Sequence, residues 1–159
     1  MYRIGKSTDI HQLVANRPLV IGGVKISSPL GLQGHSDADI LCHAIAEAIL
    51  GALNLKDLGT HFSDQDEKNK NRCSLTILQE VVIMMEKKNY EINNVDSLIL
   101  IEKPKMAPYI EQMQQNIATI LHTSIDNINI KATCGEGLGF IGKQQGAVAE
   151  AIVLLRKKD

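Results

Sequence analysis

Ser36-Asp37-Ala38-Asp39-Ile40-Leu41-Cys42-His43-Ala44-Ile45-Ala46-Glu47-Ala48-Ile49-Leu50-Gly51-Ala52-Leu53 is the stretch on which the fold reading turns. Ser36 followed three residues later by Asp39 has the form of a capping box, and Ile40, Ala44 and Ala48 with Leu41, Ile45 and Ile49 then share one broad apolar face. The spacing predicts a helix running to about Leu53. Before it, residues 2–5 and 19–26 read as strands, and Gly22-Gly23 between two short apolar runs predicts a β-hairpin. After it, Leu78, Val81, Val82 and Met85 mark a helix from Ser74 to near Asn89, followed by a strand from Val95 to Ile101. Pro108 can open a third helix with an inward stripe of Ile110, Met113, Ile117, Ile120 and Leu121. Asn127 to Ala132 alternates as a half-buried strand does, and Ala147 to Leu155 is read as a last strand. Strands interleaved with helices predict an α/β two-layer sandwich: a mixed four-stranded main sheet, a small hairpin, and helices on one face.

The chain has 159 residues, 44% hydrophobic and 22% charged, which predicts one domain over residues 1–159 with a real core. No apolar run reaches the roughly 20 residues of a membrane span, and residues 1–12 have no signal-peptide stretch, so a cytoplasmic protein is expected. Seventeen Lys and Arg against eighteen Asp and Glu leave a net charge of −1, which argues against nucleic acid as a partner. Cys42, Cys73 and Cys134 are odd in number and form no CxxC pair, so no disulfide framework is expected. The polar stretch Asp64 to Arg72 is expected to be a loop and the best candidate for mobility.

Asp9 and His11 are two apart, and in extended backbone such residues project to the same side. The helix after Ser36 brings His43 in its second turn, with Asp39 one turn earlier on the same face. Two imidazoles and a carboxylate with an open fourth position make a catalytic zinc set; histidines that are simply hydrogen-bonded are the other reading of the same spacing. Gly137-Leu138-Gly139-Phe140-Ile141-Gly142 has the form G-x-G-x-x-G, but too little chain follows it for a dinucleotide-binding βαβ unit. A tight turn or a backbone cradle for phosphate remains. Just before it, Thr133, Cys134 and Glu136 place a hydroxyl, a thiol and a carboxylate at the sheet edge, where a carboxylate beside phosphates requires a hard cation between them. The cluster Asp57, Asp64 and Asp66, in a Gly-containing loop, reads by pattern alone as a solvated loop before it reads as a site. Pro104 and Pro108 stiffen residues 102–108, either to present amides to a base or as a plain connector. Cys42, Cys73, His61 and His122 receive no role.

Together these segments resemble the 2-C-methyl-D-erythritol 2,4-cyclodiphosphate synthases over practically the whole chain, from Arg3 to about Leu155. The resemblance rests on Asp9-Ile10-His11, Gly34 to Asp39 with His43-Ala44, Asp57-Leu58-Gly59, Phe62 to Asp66, Pro104 to Pro108, and Ile130 through Glu136 to Phe140, all in order. It implies a homotrimer with active sites between adjacent subunits and sheets facing the three-fold axis. The implied reaction converts 4-diphosphocytidyl-2-C-methyl-D-erythritol 2-phosphate to the cyclic diphosphate and CMP, a phosphorus-oxygen lyase step of the non-mevalonate isoprenoid pathway. By resemblance Asp9, His11 and His43 hold one zinc ion per subunit, and Glu136 binds Mg²⁺ or Mn²⁺ between the substrate's α- and β-phosphates. Ile101, Glu102, Lys103, Pro104, Lys105, Met106 and Ala107, with Thr133, Cys134, Gly135 and Glu136, would hold the CDP portion. Asp57, Leu58, Gly59, Phe62, Ser63, Asp64, Gln65 and Asp66 would hold the remaining sugar and polyol groups, and His35 and Ser36 the phosphates. Phe140 and Lys143, with Asp9 and His11, complete the substrate-binding set.

His35 and the residue at position 134 are the implied transition-state stabilisers. There the chain departs from the family, whose K-A-T-T-T-E run is here Lys131-Ala132-Thr133-Cys134-Gly135-Glu136. A thiol is a weaker donor than a hydroxyl. Ser7 replaces a usual Gly and Glu47 a usual Asp. Lys143 and Gln145 replace an Arg and a Glu that in relatives line a central cavity able to hold isoprenoid diphosphates. Two other functions are compatible with the same residues: a zinc-dependent nucleotide phosphatase, and a non-catalytic trimer that holds isoprenoid phosphates.

Overall fold

A computed structural model describes residues 1–63, 65 and 72–158. The strands are β1 (Tyr2–Ala15), β2 (Leu19–Ile21), β3 (Val24–Ile26), β4 (Leu30–Leu32), β5 (Tyr90–Leu100), β6 (Ile128–Thr133) and β7 (Gly146–Lys157). The helices are α1 (Ile40–Ala52), α2 (Leu58–His61), α3 (Ser74–Lys87), α4 (Ile110–Ile120) and α5 (Gly139–Gly142). The architecture is α/β, as expected, but the main sheet has five strands where four were expected, in the order β4-β1-β7-β5-β6, beside the separate β2-β3 hairpin. The additional strand is β4, which pairs antiparallel with the far end of β1 at Leu13–Leu32 and Ala15–Leu30. Three residues with a glycine at the centre are too few to carry a two-residue period. For a similar reason β1 reaches well past residue 5: polar Asp9 and His11 stand on its inner side and break the alternation by which strands are read.

β7 lies antiparallel between β1 and β5, while β5 and β6 run parallel. α1 lies across β1 and β7, α3 against β5, and α4 against β6. The core is aliphatic, with Phe62 and Tyr90 its aromatic members. Tyr2, Ile4 and Ile10 of β1 and Ile152 of β7 point to the other face, where Ile4 is 70% and Ile10 58% exposed. No helix among the described residues is long and apolar enough to cross a membrane.

The start of α1 differs from the capping box expected of Ser36. Asp39 itself is the N-cap, its side chain accepting from the amide of Cys42 at 3.1 Å, and the helix begins at Ile40, which puts His43 in the first turn. Asp39 is fully buried and also accepts from the amides of Gly22 at 2.9 Å and Gly23 at 2.7 Å. Burial pushes its carboxyl pKa up, against the three amide hydrogen bonds. One carboxylate thus ties the hairpin turn to the helix. The turn is the predicted one, with Gly22 at φ +58° and Gly23 at φ +71°, the left-handed pair of a two-residue hairpin.

α1 is apolar nearly all round, as a buried helix must be. Its two half-buried polar residues, His43 and Glu47, stand one turn apart on a single stripe. The third predicted helix is preceded by a 3₁₀ turn, Ala107–Tyr109, that contains Pro108. Its inward stripe is Met113, Ile117 and Leu121, with Ile110 and Ile120 at the margin of the core.

Candidate active site

The inner side of β1 and the polar stripe of α1 meet over one point. Asp9 Oδ2 lies 3.3 Å from His11 Nε2 and 3.2 Å from His43 Nδ1, and all three side chains are partly buried. Among the described residues these form a group whose three ligand atoms lie within 4.8 Å of one another. A tetrahedral ion with bonds of about 2.0–2.1 Å holds neighbouring ligands about 3.3 Å apart. The Asp9 spacings match that edge and are longer than the roughly 2.7–2.9 Å of a tight charged hydrogen bond. The residues therefore fit a divalent cation. His11 Nδ1 sits 2.5 Å from the carbonyl oxygen of Gln33, which only accepts, so Nδ1 carries the proton and Nε2 is turned toward Asp9.

Burial tends to raise the Asp9 pKa, but hydrogen bonds and charge from His11 and His43 outweigh it and hold the carboxyl at about 2, below its ordinary 3.8. A carboxylate lowered on folding stabilises the native state above its unfolded pKa and loses that contribution as pH falls through the folded value. In metal-free protein the Asp9 contribution, on the order of 2 kcal/mol, is expected to be complete above pH 3.8 and to vanish as pH drops toward 2. Urea unfolding of wild type and Asp9→Asn across that window checks this: the difference between them should shrink with acid.

The three residues open into a cleft walled by Gly34, His35 and Ser36 on one side and by Leu58, Gly59 and Phe62 on the other. His35 is exposed, and the Ser36 hydroxyl accepts from the amide of Ala38 at 3.0 Å. Asp57 caps α2, accepting from the amide of Thr60 at 2.9 Å and its hydroxyl at 2.7 Å; these bonds lower its pKa, the Thr60 hydroxyl contributing most. Ser63 accepts from the amide of Gln65 at 3.2 Å. Asp64 and Asp66 lie outside the described residues, as does most of the stretch expected to be a loop.

A second cavity is lined by Ile101, Glu102, Pro104, Lys105, Met106 and Ala107 together with Ala132, Thr133 and Cys134. Lys103 faces a neighbouring hollow with Pro104 and Lys105. Glu102 accepts from the amide of Gly135 at 2.8 Å, the Cys134 thiol donates to Glu136 at 3.5 Å, and Glu136 has a left-handed φ of +52°. Residues 139–142 form short helix α5, and antiparallel β7 follows directly, with no βαβ crossover. Phe140 is exposed at the start of that helix and Lys143 is its C-cap. The two cavities do not meet in one chain. Ile10, Val148, Leu100 and Thr133 share a row across β1, β7, β5 and β6, so Thr133 stands three strand steps from Ile10, or about 14 Å at about 4.8 Å per step.

Glu47 lines the first cleft and is not among the site residues expected from the sequence. It accepts from the Ser7 hydroxyl at 2.7 Å and from the amide of Leu58 at 3.3 Å, so the two positions noted as departures are in contact. The signal was present: Glu47 is the polar residue one turn after His43 in an otherwise apolar helix.

The match to known proteins runs the length of the chain. The YgbB family model matches residues 2–156. The 2-C-methyl-D-erythritol 2,4-cyclodiphosphate synthase of Geobacillus sp. (strain WCH70) is 51% identical over 158 residues, covering 99% of this chain and all of that protein (100%). Among solved structures, IspF of Plasmodium falciparum in complex with CDP superposes with a TM-score of 0.88 at 34% identity, over 99% of this chain and 97% of that one. The bifunctional IspDF of Campylobacter jejuni gives 0.96 at 37% identity over 100% of this chain, which spans 43% of that longer protein. A family match of this extent, joined to half-identity with a relative over its full length, settles the kinship: the chain belongs to the YgbB family, that of the 2-C-methyl-D-erythritol 2,4-cyclodiphosphate synthases.

Proposed function

We propose that this chain, as one domain over residues 1–159, closes 4-diphosphocytidyl-2-C-methyl-D-erythritol 2-phosphate into 2-C-methyl-D-erythritol 2,4-cyclodiphosphate and releases CMP. The observation that carries the reading is the Asp9, His11 and His43 cluster at tetrahedral-edge spacing, opening into the cleft of His35 and Ser36. An oxygen of the 2-phosphate attacks the β-phosphorus, and the bond from that phosphorus to the oxygen bridging it to the α-phosphate breaks. CMP takes the electron pair. The nucleophile is already an anion in the same molecule, so no strong base is needed; the chain's task is to hold attacking and leaving oxygens in line. Zinc on Asp9, His11 and His43, and Mg²⁺ or Mn²⁺ beside Glu136, supply Lewis-acid charge to the phosphates when bound.

His35 and Ser36 hold the phosphates at the mouth of the first cleft. Leu58, Gly59 and Phe62 enclose the polyol, while the second cavity holds the CDP portion between residues 101–107 and 133–136. The separation of the two cavities by three strand steps in one chain accords with a site in which a second copy brings its own 101–107 and 133–136 to the first copy's Asp9, His11 and His43. The exposed face with Tyr2, Ile4, Ile10 and Ile152 supports burial about the axis of a homotrimer. Three free thiols, Cys42, Cys73 and Cys134, accord with a cytoplasmic setting.

Incubating purified protein with Mg²⁺ and the diphosphocytidyl substrate should release CMP and cyclic diphosphate in equal amounts. Free phosphate without CMP would point to the phosphatase, and binding without turnover to the non-catalytic trimer. At the departing position, Cys134→Thr is expected to hold or raise kcat, because a hydroxyl donates more strongly than a thiol. A tenfold fall in steady-state CMP release would show that the thiol itself is required.

A further inference from the structure

His43 engages both ring nitrogens. Nδ1 faces Asp9 Oδ2 at 3.2 Å, and Nε2 lies 2.9 Å from the hydroxyl of Ser74, the first residue of α3. Ser74 is fully buried. Its hydroxyl donates to Asp37 Oδ1, and its amide donates to Asp37 Oδ2 at 3.0 Å, so both oxygens of one carboxylate face one serine. Asp37 also accepts from the amide of Asp39 at 3.3 Å, and its own amide donates to the Arg72 carbonyl at 3.2 Å, which joins the 36–39 segment to the start of α3.

We infer that Asp37 and Ser74 are positioning residues: through the Ser74 hydroxyl, the Asp37 carboxylate fixes His43 in its Nε2–H tautomer and turns the Nδ1 lone pair to the metal position. The inference rests on the reading of Asp9, His11 and His43 as metal ligands. Its logic is the direction of protons. A carboxylate only accepts, and a hydroxyl has one proton to give. With that proton committed to Asp37, the Ser74 oxygen can only accept from His43; Asp9 Oδ2 also only accepts, but it lies 3.2 Å from Nδ1 against 2.9 Å for Ser74 at Nε2, so the one hydrogen of the neutral ring is assigned to Nε2. Ser36 Oγ, at 3.4 Å from Nε2, is the longer contact of the two hydroxyls.

The two histidines are thus held by different means. His11 is fixed by the Gln33 carbonyl, a main-chain group that no substitution removes. His43 depends on a side-chain relay that can be deleted. Outer partners of metal-bound histidines typically contribute about 10- to 100-fold in affinity, by fixing tautomer and ring orientation.

The test uses the full chain stripped of metal. Zinc affinity is measured by chelator competition for wild type, Ser74→Ala and Asp37→Asn, and the His43 tautomer by ¹⁵N NMR at about pH 8.5, where imidazoles are neutral. Wild type should show Nε2–H alone. Each variant should bind zinc about 10- to 100-fold more weakly and show a mixture of tautomers, while thermal unfolding of the metal-free form confirms that it folds. An Nδ1–H ring in metal-free wild type overturns the inference without any variant. So does a folded Ser74→Ala protein with unchanged affinity and tautomer. Failure of wild type to bind zinc would instead defeat the metal reading, and the NMR result would still decide the relay.

Discussion

Replacing His43 with alanine is expected to reduce CMP release by about a thousandfold or more and to eliminate tight zinc binding, while lowering the stability of the metal-free fold by at most the Asp9 contribution of about 2 kcal/mol. His43 is one of three ligand atoms around a single point, and its loss leaves two. Metal charge at a phosphate is worth several kcal/mol of transition-state stabilisation, and about 4 kcal/mol corresponds to a thousandfold. Stability should change far less than activity, because His43 lies on the cleft-facing stripe of α1, outside the aliphatic core, and alanine is the better helix former; what is lost is its share of the interactions that hold Asp9 ionised. Activity and zinc content should therefore fall together, with the urea midpoint of the metal-free protein lowered only modestly. Turnover within tenfold of wild type would mean that the cluster does not hold the catalytic cation.

The second large effect is in the packing beneath the site. A β-carbon added to Gly5 would lie 1.9 Å from the carbonyl oxygen of Ala48 and 2.9 Å from the amide nitrogen of Ala52, both backbone atoms of α1. Neither can rotate aside. Gly5→Ala must lift the helix from β1, at a cost of about 3 kcal/mol or more, since insertion into a filled core costs about 1–3 kcal/mol even where side chains can shift. The same displacement moves His43 from Asp9 and His11, which ride on the strand being vacated. Urea unfolding should show the destabilisation, and zinc affinity should fall although no ligand has changed. A variant within 0.5 kcal/mol of wild type, the usual scatter of neutral substitutions, would show that α1 and β1 are not in the contact described.

Glu47 and Ser74 show why part of the site was legible in sequence and part was not. Asp9 and His11 were readable because a strand's two-residue repeat places both side chains on one side wherever the strand lies. His43 was readable as a ligand from its place at the head of an apolar helix and from the order of the surrounding motifs. Ser74 stands 31 residues from His43 and 37 from Asp37, and nothing local distinguishes it from any serine at a helix start. Its role arises because α3 brings it beneath the imidazole.

Local rules of the chain itself determined the helix of residues 40–52, the Gly22-Gly23 turn, the aliphatic character of the core and the α/β class, because periodicity and turn chemistry act between near neighbours. Tertiary structure alone decided that β4 joins the main sheet, that Asp39 ties the hairpin to α1, and that the Asp9, His11 and His43 cluster and the second cavity stand three strand steps apart. Those outcomes depend on which buried carboxylates and strand edges find partners across long stretches of chain, and that pairing is settled only when the whole core closes.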